Sequence, residues 1–370
     1  MRIAQIAPLY EAVPPSLYGG TERVVSYLTE ELVRMGVEVT LFASGDSVSS
    51  AELVSPCPHA MRLAPRQLDA LAYHMLQLGQ VSRRAAEFDL LHFHIDYLHY
   101  PFSRRVGMPT LTTLHGRLDL ADLDPLYREY SEIPVVSISD AQREPLPWAN
   151  WQATVHHGLP EDRYTPSFVP GGYLAFLGRL SPEKRPDWAI EIARRAGLPL
   201  RIAAKVDPAD RAYYESTVAP LLEQSHVEVV GEVGEGAKGP FLAGARALLF
   251  PVDWPEPFGL VMIEALACAT PVIAFRRGSI PEVVTHGVTG YVVDSLDDAV
   301  AAAEKVGELD RRYCHLDFLE RFSARRMASD YLALYERMTA ARGSADWIAG
   351  ATLPAPRVET GSGEGDTPAG

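Results

Sequence analysis

Two glutamates, Glu256 and Glu264, stand eight positions apart in DWPEPFGLVMIEALACATPVIAF (253–275). Glu264 interrupts an otherwise apolar helix, and a buried carboxylate is costly unless it is paired or holds a ligand. A sugar or ribose diol suits it, because a carboxylate accepts two hydroxyl hydrogen bonds. Arg179 and Lys184 lie five apart in FLGRLSPEKRPDW (176–188), in a short loop between a strand end and a helix. Open α/β sheets bind ligands beyond the carboxyl ends of their strands. Two cations there hold a diphosphate and stabilise it as a leaving group. The alternative is a solvated loop in which Glu183 pairs one of them. Gly19 and Gly20, in LYGGTERVV (17–25), precede another helix. Lacking a Cβ, they let a ligand approach the backbone, and the helix N-terminus favours an anion. A tight turn is the alternative there, and the missing G-x-G-x-x-G argues against a nicotinamide dinucleotide.

Other constellations have simpler explanations. A strand puts His92 and His94 on one face, near His99 and Asp96, but no set of tetrahedral ligand spacing accompanies them. Asp122 and Asp124 spell D-x-D, yet in DLADLDPLY they read as a helix cap. Cys268 on its apolar helix reads as core, Trp148 and Trp151 as core or rim packing, and Asp140 as a cap after a strand.

These residues need a frame to hold them. The chain has 370 residues and a mass of 40.6 kDa, which suits about two domains of roughly 100–200 residues with cores that need no staples. At 47% hydrophobic and 22% charged residues, it is not collagen-like, coiled-coil or wholly disordered. A net charge of −14 opposes non-specific nucleic-acid binding and a polybasic membrane anchor. Two or three placed cations still suffice for an anionic ligand. Cys57, Cys268 and Cys314 make no disulfide framework and fit a reduced, cytoplasmic compartment. The N-terminal apolar run is too short for a signal-peptide core. The most apolar stretch, 260–275, falls short of the ~18 residues of a membrane span. Peripheral contact with a membrane surface is left open.

RIAQIA (2–7), a helical spacing of Val24, Val25, Leu28, Leu32 and Met35, Gly36 as C-cap and VEVTLF (37–42) predict a βαβ unit with parallel strands. The alternation continues through DLLHFH (89–94), PTLTTLH (109–115) and PVVSIS (134–139). HHGLPEDRYTPSFVPGG (156–172) reads as a hinge. Beyond it, YLAFLGRL (173–180), LRIAA (200–204), VEVV (227–230), ALLFP (247–251), PVIAF (271–275) and YVV (291–293) read as buried strands. The expectation is two doubly wound α/β domains, 1–160 and 161–321, facing one another. Met327, Tyr331, Leu334, Tyr335 and Met338 form one face of a terminal helix over 322–342 that packs back. The Gly/Pro-rich segment 343–370 reads as a disordered tail.

In order and spacing, YGGTERVV, DLLHFH, TTLHG (112–116), VVSISDAQR (135–143), HHGL, FLGRLSPEK, EPFGLVMIEALACATPVIA and GSIPEVVTHGVTGYVV (278–293) resemble a family 4 retaining glycosyltransferase of the GT-B fold (glycosyl transferases group 1). The resemblance spans nearly all of 1–340, and Glu256 to Glu264 matches the family's E-x7-E signature. It implies two Rossmann-like domains across a cleft, the first taking the acceptor and the second the donor. Arg179 and Lys184 would hold the donor diphosphate, faced by Gly19 and Gly20. Glu256 would bind hydroxyls of the transferred sugar, with His115 beside it as the second catalytic residue. Backbone amides of Phe258, Gly259 and Leu260 would add donors to sugar and phosphate. Glu264 would bind the nucleotide ribose, and the segment near Val233 the base. Two positions depart from the pattern: His157 replaces an Asn of the hinge, and Ala269 replaces a Gly after the Ala-Cys pair.

The function so implied is a hexosyl transfer, free of metal and cofactor, from a nucleotide-diphosphate sugar to a hydroxyl acceptor with retention of configuration. UDP is the commonest donor nucleotide in the family. The acceptor class (saccharide, lipid-linked sugar or small metabolite) is not readable, and no nucleic acid takes part. A nucleotide-sugar 2-epimerase-like isomerase and a non-catalytic sugar-nucleotide-binding protein are the alternatives.

Overall fold

A computed structural model describes residues 1–16, 19–64, 66 and 68–341. Leu17, Tyr18 and the expected tail 343–370 lie outside the described residues. Two sheets organise the chain. The first comprises β1 (Arg2–Ile6), β2 (Glu38–Phe42), β3 (Glu52–Val54), β4 (Leu90–Phe93), β5 (Thr110–Thr113), β6 (Val135–Ser137) and β7 (Trp151–Thr154), in the order β3-β2-β1-β4-β5-β6-β7. The second comprises β8 (Tyr173–Arg179), β9 (Leu200–Lys205), β10 (Val227–Gly231), β11 (Ala245–Phe250), β12 (Val272–Phe275) and β13 (Gly290–Val293), in the order β10-β9-β8-β11-β12-β13. Every pairing between these strands is parallel. Helices cover the sheets, so the central strands are buried and read as continuous apolar runs. This is the expected pair of Rossmann-like domains.

The strand order reverses between β1 and β4, and again between β8 and β11. In open α/β sheets, the crevice at such a reversal is where ligands bind. Arg179 ends β8, and Glu256 follows the end of β11. Gly20 opens the helix after β1, Gly20–Arg34, and His115 follows β5. Topology alone therefore brings the residues of four separate motifs to one level.

The terminal helix Ala324–Ala341 packs against the first helix. Met327, Tyr331, Leu334, Tyr335 and Met338 are all buried. The Tyr335 hydroxyl accepts from Gln5 Nε2 at 3.0 Å and bonds His92 Nδ1 at 2.7 Å. The Tyr331 hydroxyl bonds Thr113 Oγ1 at 2.8 Å. The last helix is thus stitched beneath β1, β4 and β5 of the first sheet. A second tie is Glu282, whose carboxylate accepts from the amides of Asp140 and Ala141 at 2.7 and 2.8 Å. The helical turn after β6 is therefore capped from the other half of the molecule. The expected cap, Asp140, instead accepts from the Thr154 hydroxyl.

Asp124 is also no cap. It is the first residue of its short helix, and its carboxylate pairs with Arg128 at 2.6 Å. Ala269 follows the C-cap of helix Leu260–Ala267 with φ 61°. The amide of Ala269 donates to Leu266 O, and that of Thr270 to Ala265 O. That pair of bonds is a Schellman end, whose left-handed residue is usually Gly, so the departure from the family pattern is a strained alanine.

Candidate active site

A cavity of about 530 Å³ opens between the two sheets, and all eleven residues to which the resemblance gives a role line it: Glu256, His115, Arg179, Lys184, Gly19, Gly20, Phe258, Gly259, Leu260, Glu264 and Val233. The halves meet closely here, since a Cβ on Gly20 would lie 3.4 Å from Leu260 Cδ1. Gly19 has φ 148°, and a Cβ there would lie 2.8 Å from Pro15 Cβ. Gly259 takes φ 81° as N-cap of helix Leu260–Ala267 and supplies no capping side chain. That leaves the first amides of the helix for an anion.

Lys184 and Glu256 form an ion pair, Nζ to Oε2 2.5 Å, and Trp254 Nε1 donates to the same oxygen at 2.8 Å. The Lys184 ammonium lies 5.0 Å from the Trp254 ring and 5.3 Å from that of Phe250. Arg179 is held by Glu183 at 2.6 Å and lies 3.5 Å from both Asp207 and Asp210. The alternative foreseen for this loop, a Glu183 pair, is therefore present at Arg179 but not at Lys184. Glu264 is buried, and its Oε1 accepts from Lys238 Nζ at 2.9 Å and from the Tyr164 hydroxyl at 3.2 Å.

His115 stands half-buried in the cavity wall. Its Nε2 bonds His94 Nδ1 at 2.9 Å, and its ring stacks on His157 at 5.3 Å. His94 Nε2 bonds Gln5 Oε1 at 2.8 Å, and His92 Nε2 bonds Thr113 Oγ1 at 2.8 Å. His99 bonds Ser103 and Thr112 and stacks on Phe93. Both ring nitrogens of His92, His94 and His99 are thus spent on hydrogen bonds, whereas His115 Nδ1 bonds no described residue. Among the described residues, no group of three or more His, Cys, Asp or Glu is arranged to hold a metal. Cys268 is core, Trp151 Nε1 donates to Leu146 O, and Trp148 packs under Arg128.

Burial pushes the His115 imidazole down to about 3 and holds His92, His94, His99 and His157 well below the ordinary value of 6.5. Below pH 6.5 the unfolded chain takes up protons that these folded rings refuse. Stability present above pH 6.5 is therefore lost as pH falls, by about 1.4 kcal/mol per unit for each such ring. Melting curves should show a midpoint that drops steeply from pH 7 to pH 5. A flat profile would mean that the rings are open to water.

Several cavity residues were given no role from the sequence. Trp254, Lys238, Glu11, Glu22, Arg62 and Lys205 all line it. Glu22 is buried, accepts from the Glu11 amide at 3.3 Å, and is pushed up by burial. Glu11 pairs with Arg62 at 2.9 Å. A reader of the sequence could have found Trp254, two residues before Glu256. Glu22 lies inside YGGTERVV, and the others owe their place to tertiary pairing. No helix among the described residues is long and apolar enough to cross a membrane.

The two halves match two family models in order: Glycosyltransferase Family 4 over residues 18–151 and Glycosyl transferases group 1 over residues 166–313. D-inositol 3-phosphate glycosyltransferase of Pseudarthrobacter chlorophenolicus is 26% identical over 75% of this chain and 78% of its own. Phosphatidyl-myo-inositol mannosyltransferase of Mycobacterium leprae is 25% identical over 91% of this chain and 96% of its own. Among solved structures, sucrose-phosphate synthase of Thermosynechococcus elongatus superposes with a TM-score of 0.74 at 19% identity, over 92% of this chain and 100% of that one. HepE of Anabaena, in complex with UDP and glucose, superposes with a TM-score of 0.69 at 16% identity, over 91% and 100%. Sheet topology, the cavity between the halves and both family models agree, and the chain belongs to the group 1, family 4 glycosyltransferases of the GT-B fold, enzymes that pass a sugar from a nucleotide-sugar donor to an acceptor.

Proposed function

We propose that this enzyme transfers a hexose from a UDP-sugar to a hydroxyl acceptor, without a metal and with retention of the anomeric configuration. The observation that carries it is the Lys184–Glu256 pair, set beside the uncapped helix N-terminus at Gly259 and Leu260. Lys184, Arg179 and the Leu260 amide would take the diphosphate. Glu256 would accept from hydroxyls of the sugar, and Glu264 from the ribose. The base would lie against the segment at Val233. A neutral His115 would offer a ring nitrogen to the sugar, since a group held near 3 is no proton donor at neutral pH. The C1–O bond to the diphosphate breaks as the acceptor oxygen bonds C1 on the same face. The acceptor proton passes to the departing phosphate oxygen. Closure of the halves would exclude water from the oxocarbenium-like transition state. The UDP complex of HepE and the inositol-phosphate relatives recommend UDP and cyclitol acceptors for the first trials.

Thermal unfolding with millimolar UDP, GDP, ADP, TDP or NAD tests the donor. A ligand at 100 times its Kd adds about 2.7 kcal/mol, and UDP is expected to raise the midpoint most. A rise with NAD alone would overturn the assignment. Retention is checked by the anomeric proton coupling of the product.

A further inference from the structure

The ribose carboxylate is the end of a longer chain of charge. Lys238 Nζ lies 2.9 Å from Glu264 Oε1 and 2.9 Å from Glu235 Oε1. Glu235 opens helix Glu235–Ala243, and its carboxylate also pairs with Arg163 at 2.7 Å and Arg23 at 3.1 Å. Arg23 belongs to the first helix, behind Gly19 and Gly20 on the other side of the cavity, and is only 4% exposed. Four charged side chains thus run without a break from the donor half into the acceptor half. The bonds from Lys238 and Tyr164 both fall on Glu264 Oε1, and no described residue bonds Oε2.

We propose that Lys238 and Glu235 are positioning residues for the nucleotide: Lys238 fixes one oxygen of Glu264 so that the other faces the ribose, and Glu235, through Arg23, ties that arrangement to the first helix. The inference rests on the ribose role of Glu264. A carboxylate buried beside a single cation could turn either oxygen to a ligand. With Lys238 and Tyr164 on Oε1, only one orientation satisfies both donors. The charges favour permanence: burial alone would pull the Lys238 ammonium down, yet Glu264 and Glu235 together hold it above its ordinary range. Burial likewise opposes the charge on Glu235, and Lys238, Arg163 and Arg23 outweigh it. The donor site is therefore complete only when the first helix sits where Arg23 meets Glu235. This gives the nucleotide a reason to prefer the closed arrangement.

The test is calorimetric binding of UDP and 2′,3′-dideoxy-UDP. Wild type is expected to prefer UDP by about tenfold or more, the value of a charge-assisted hydrogen bond. Lys238→Met should reduce that preference to about twofold, and Lys238→Arg should restore most of it. Arg23→Met and Glu235→Gln should each weaken UDP by about three- to tenfold, and the double variant by no more than the larger single effect. A lesion that merely loosened the fold would weaken both ligands alike and leave the preference unchanged. If wild type fails to bind UDP or to distinguish the two ligands, the nucleotide reading itself fails and this inference with it. If wild type distinguishes them and Lys238→Met does so equally, the positioning role alone is wrong. Additive effects of Arg23→Met and Glu235→Gln would overturn the link between the halves.

Discussion

Glu256→Gln is expected to lower kcat by about 100-fold or more while leaving the Kd for UDP within about threefold. Glu256 is buried at the carboxyl end of β11, and one of its oxygens already receives Lys184 and Trp254. The side chain is therefore pre-oriented before substrate arrives. A hydroxyl that bonds such a carboxylate gains as positive charge builds on the sugar ring, so the interaction is stronger in the transition state than in the ground state. A factor of 100 corresponds to about 2.7 kcal/mol, within the range for a hydrogen bond to a charged group. UDP carries no sugar, so its binding does not use this contact. Removing the charge also frees Lys184 for phosphate, which works against any loss of UDP affinity. Glutamine keeps the volume and one acceptor oxygen, so collapse of the buried site does not confuse the outcome. Single-turnover transfer and UDP titration of the same preparation decide it. Wild-type kcat in Glu256→Gln would remove the residue from the mechanism. A parallel loss of UDP affinity would recast it as a structural partner of Lys184.

How much of this was legible in the sequence follows from what each residue depends on. The central strands were readable because a parallel strand buried on both faces must be apolar throughout. VIAF and ALLFP leave no other economical choice. β3 and β7 were not readable, being short edge strands with half-buried residues and no apolar run. The cavity residues carried by motifs lie at strand ends or in the loops and helices that follow them, where chain order brings them together. Lys238 and Arg23 depend instead on partners 26 and 212 positions away, for Glu264 and Glu235 respectively. No local pattern encodes such pairs. Asp140 shows the same limit in reverse. Its position after a strand predicts a cap, but the Gln142 amide donates to Ser139 Oγ instead, and Glu282, 142 positions distant, takes the amides of Asp140 and Ala141. The histidines of DLLHFH looked like spare ligands because the sequence does not reveal that Tyr331 and Tyr335 lie against His92, or that Gln5 and His115 bond His94.

Lys184→Ala should be the more damaging of the two diphosphate-site substitutions, raising the Kd for UDP by about 30-fold and lowering kcat as well, against about tenfold in Kd for Arg179→Ala. The sequence offers the two cations as equals; the structure does not. Arg179 lies among Glu183, Asp207 and Asp210. To reach a phosphate it must exchange those contacts, and a deletion measures only the difference. Among the described residues Lys184 has one carboxylate partner, Glu256, and it sits over the faces of Trp254 and Phe250 in a partly water-excluded pocket. A cation so placed gains more from a diphosphate than one already ringed by carboxylates. Its loss also leaves the Glu256 carboxylate buried with only Trp254, which explains the added cost in kcat. Glu183→Gln removes the strongest competitor for Arg179 and should tighten UDP by about two- to fivefold, with a steeper dependence of Kd on salt. Arg179→Ala weakening UDP more than Lys184→Ala, or Glu183→Gln weakening it at all, would mean that Glu183 presents Arg179 to the phosphate rather than competing for it.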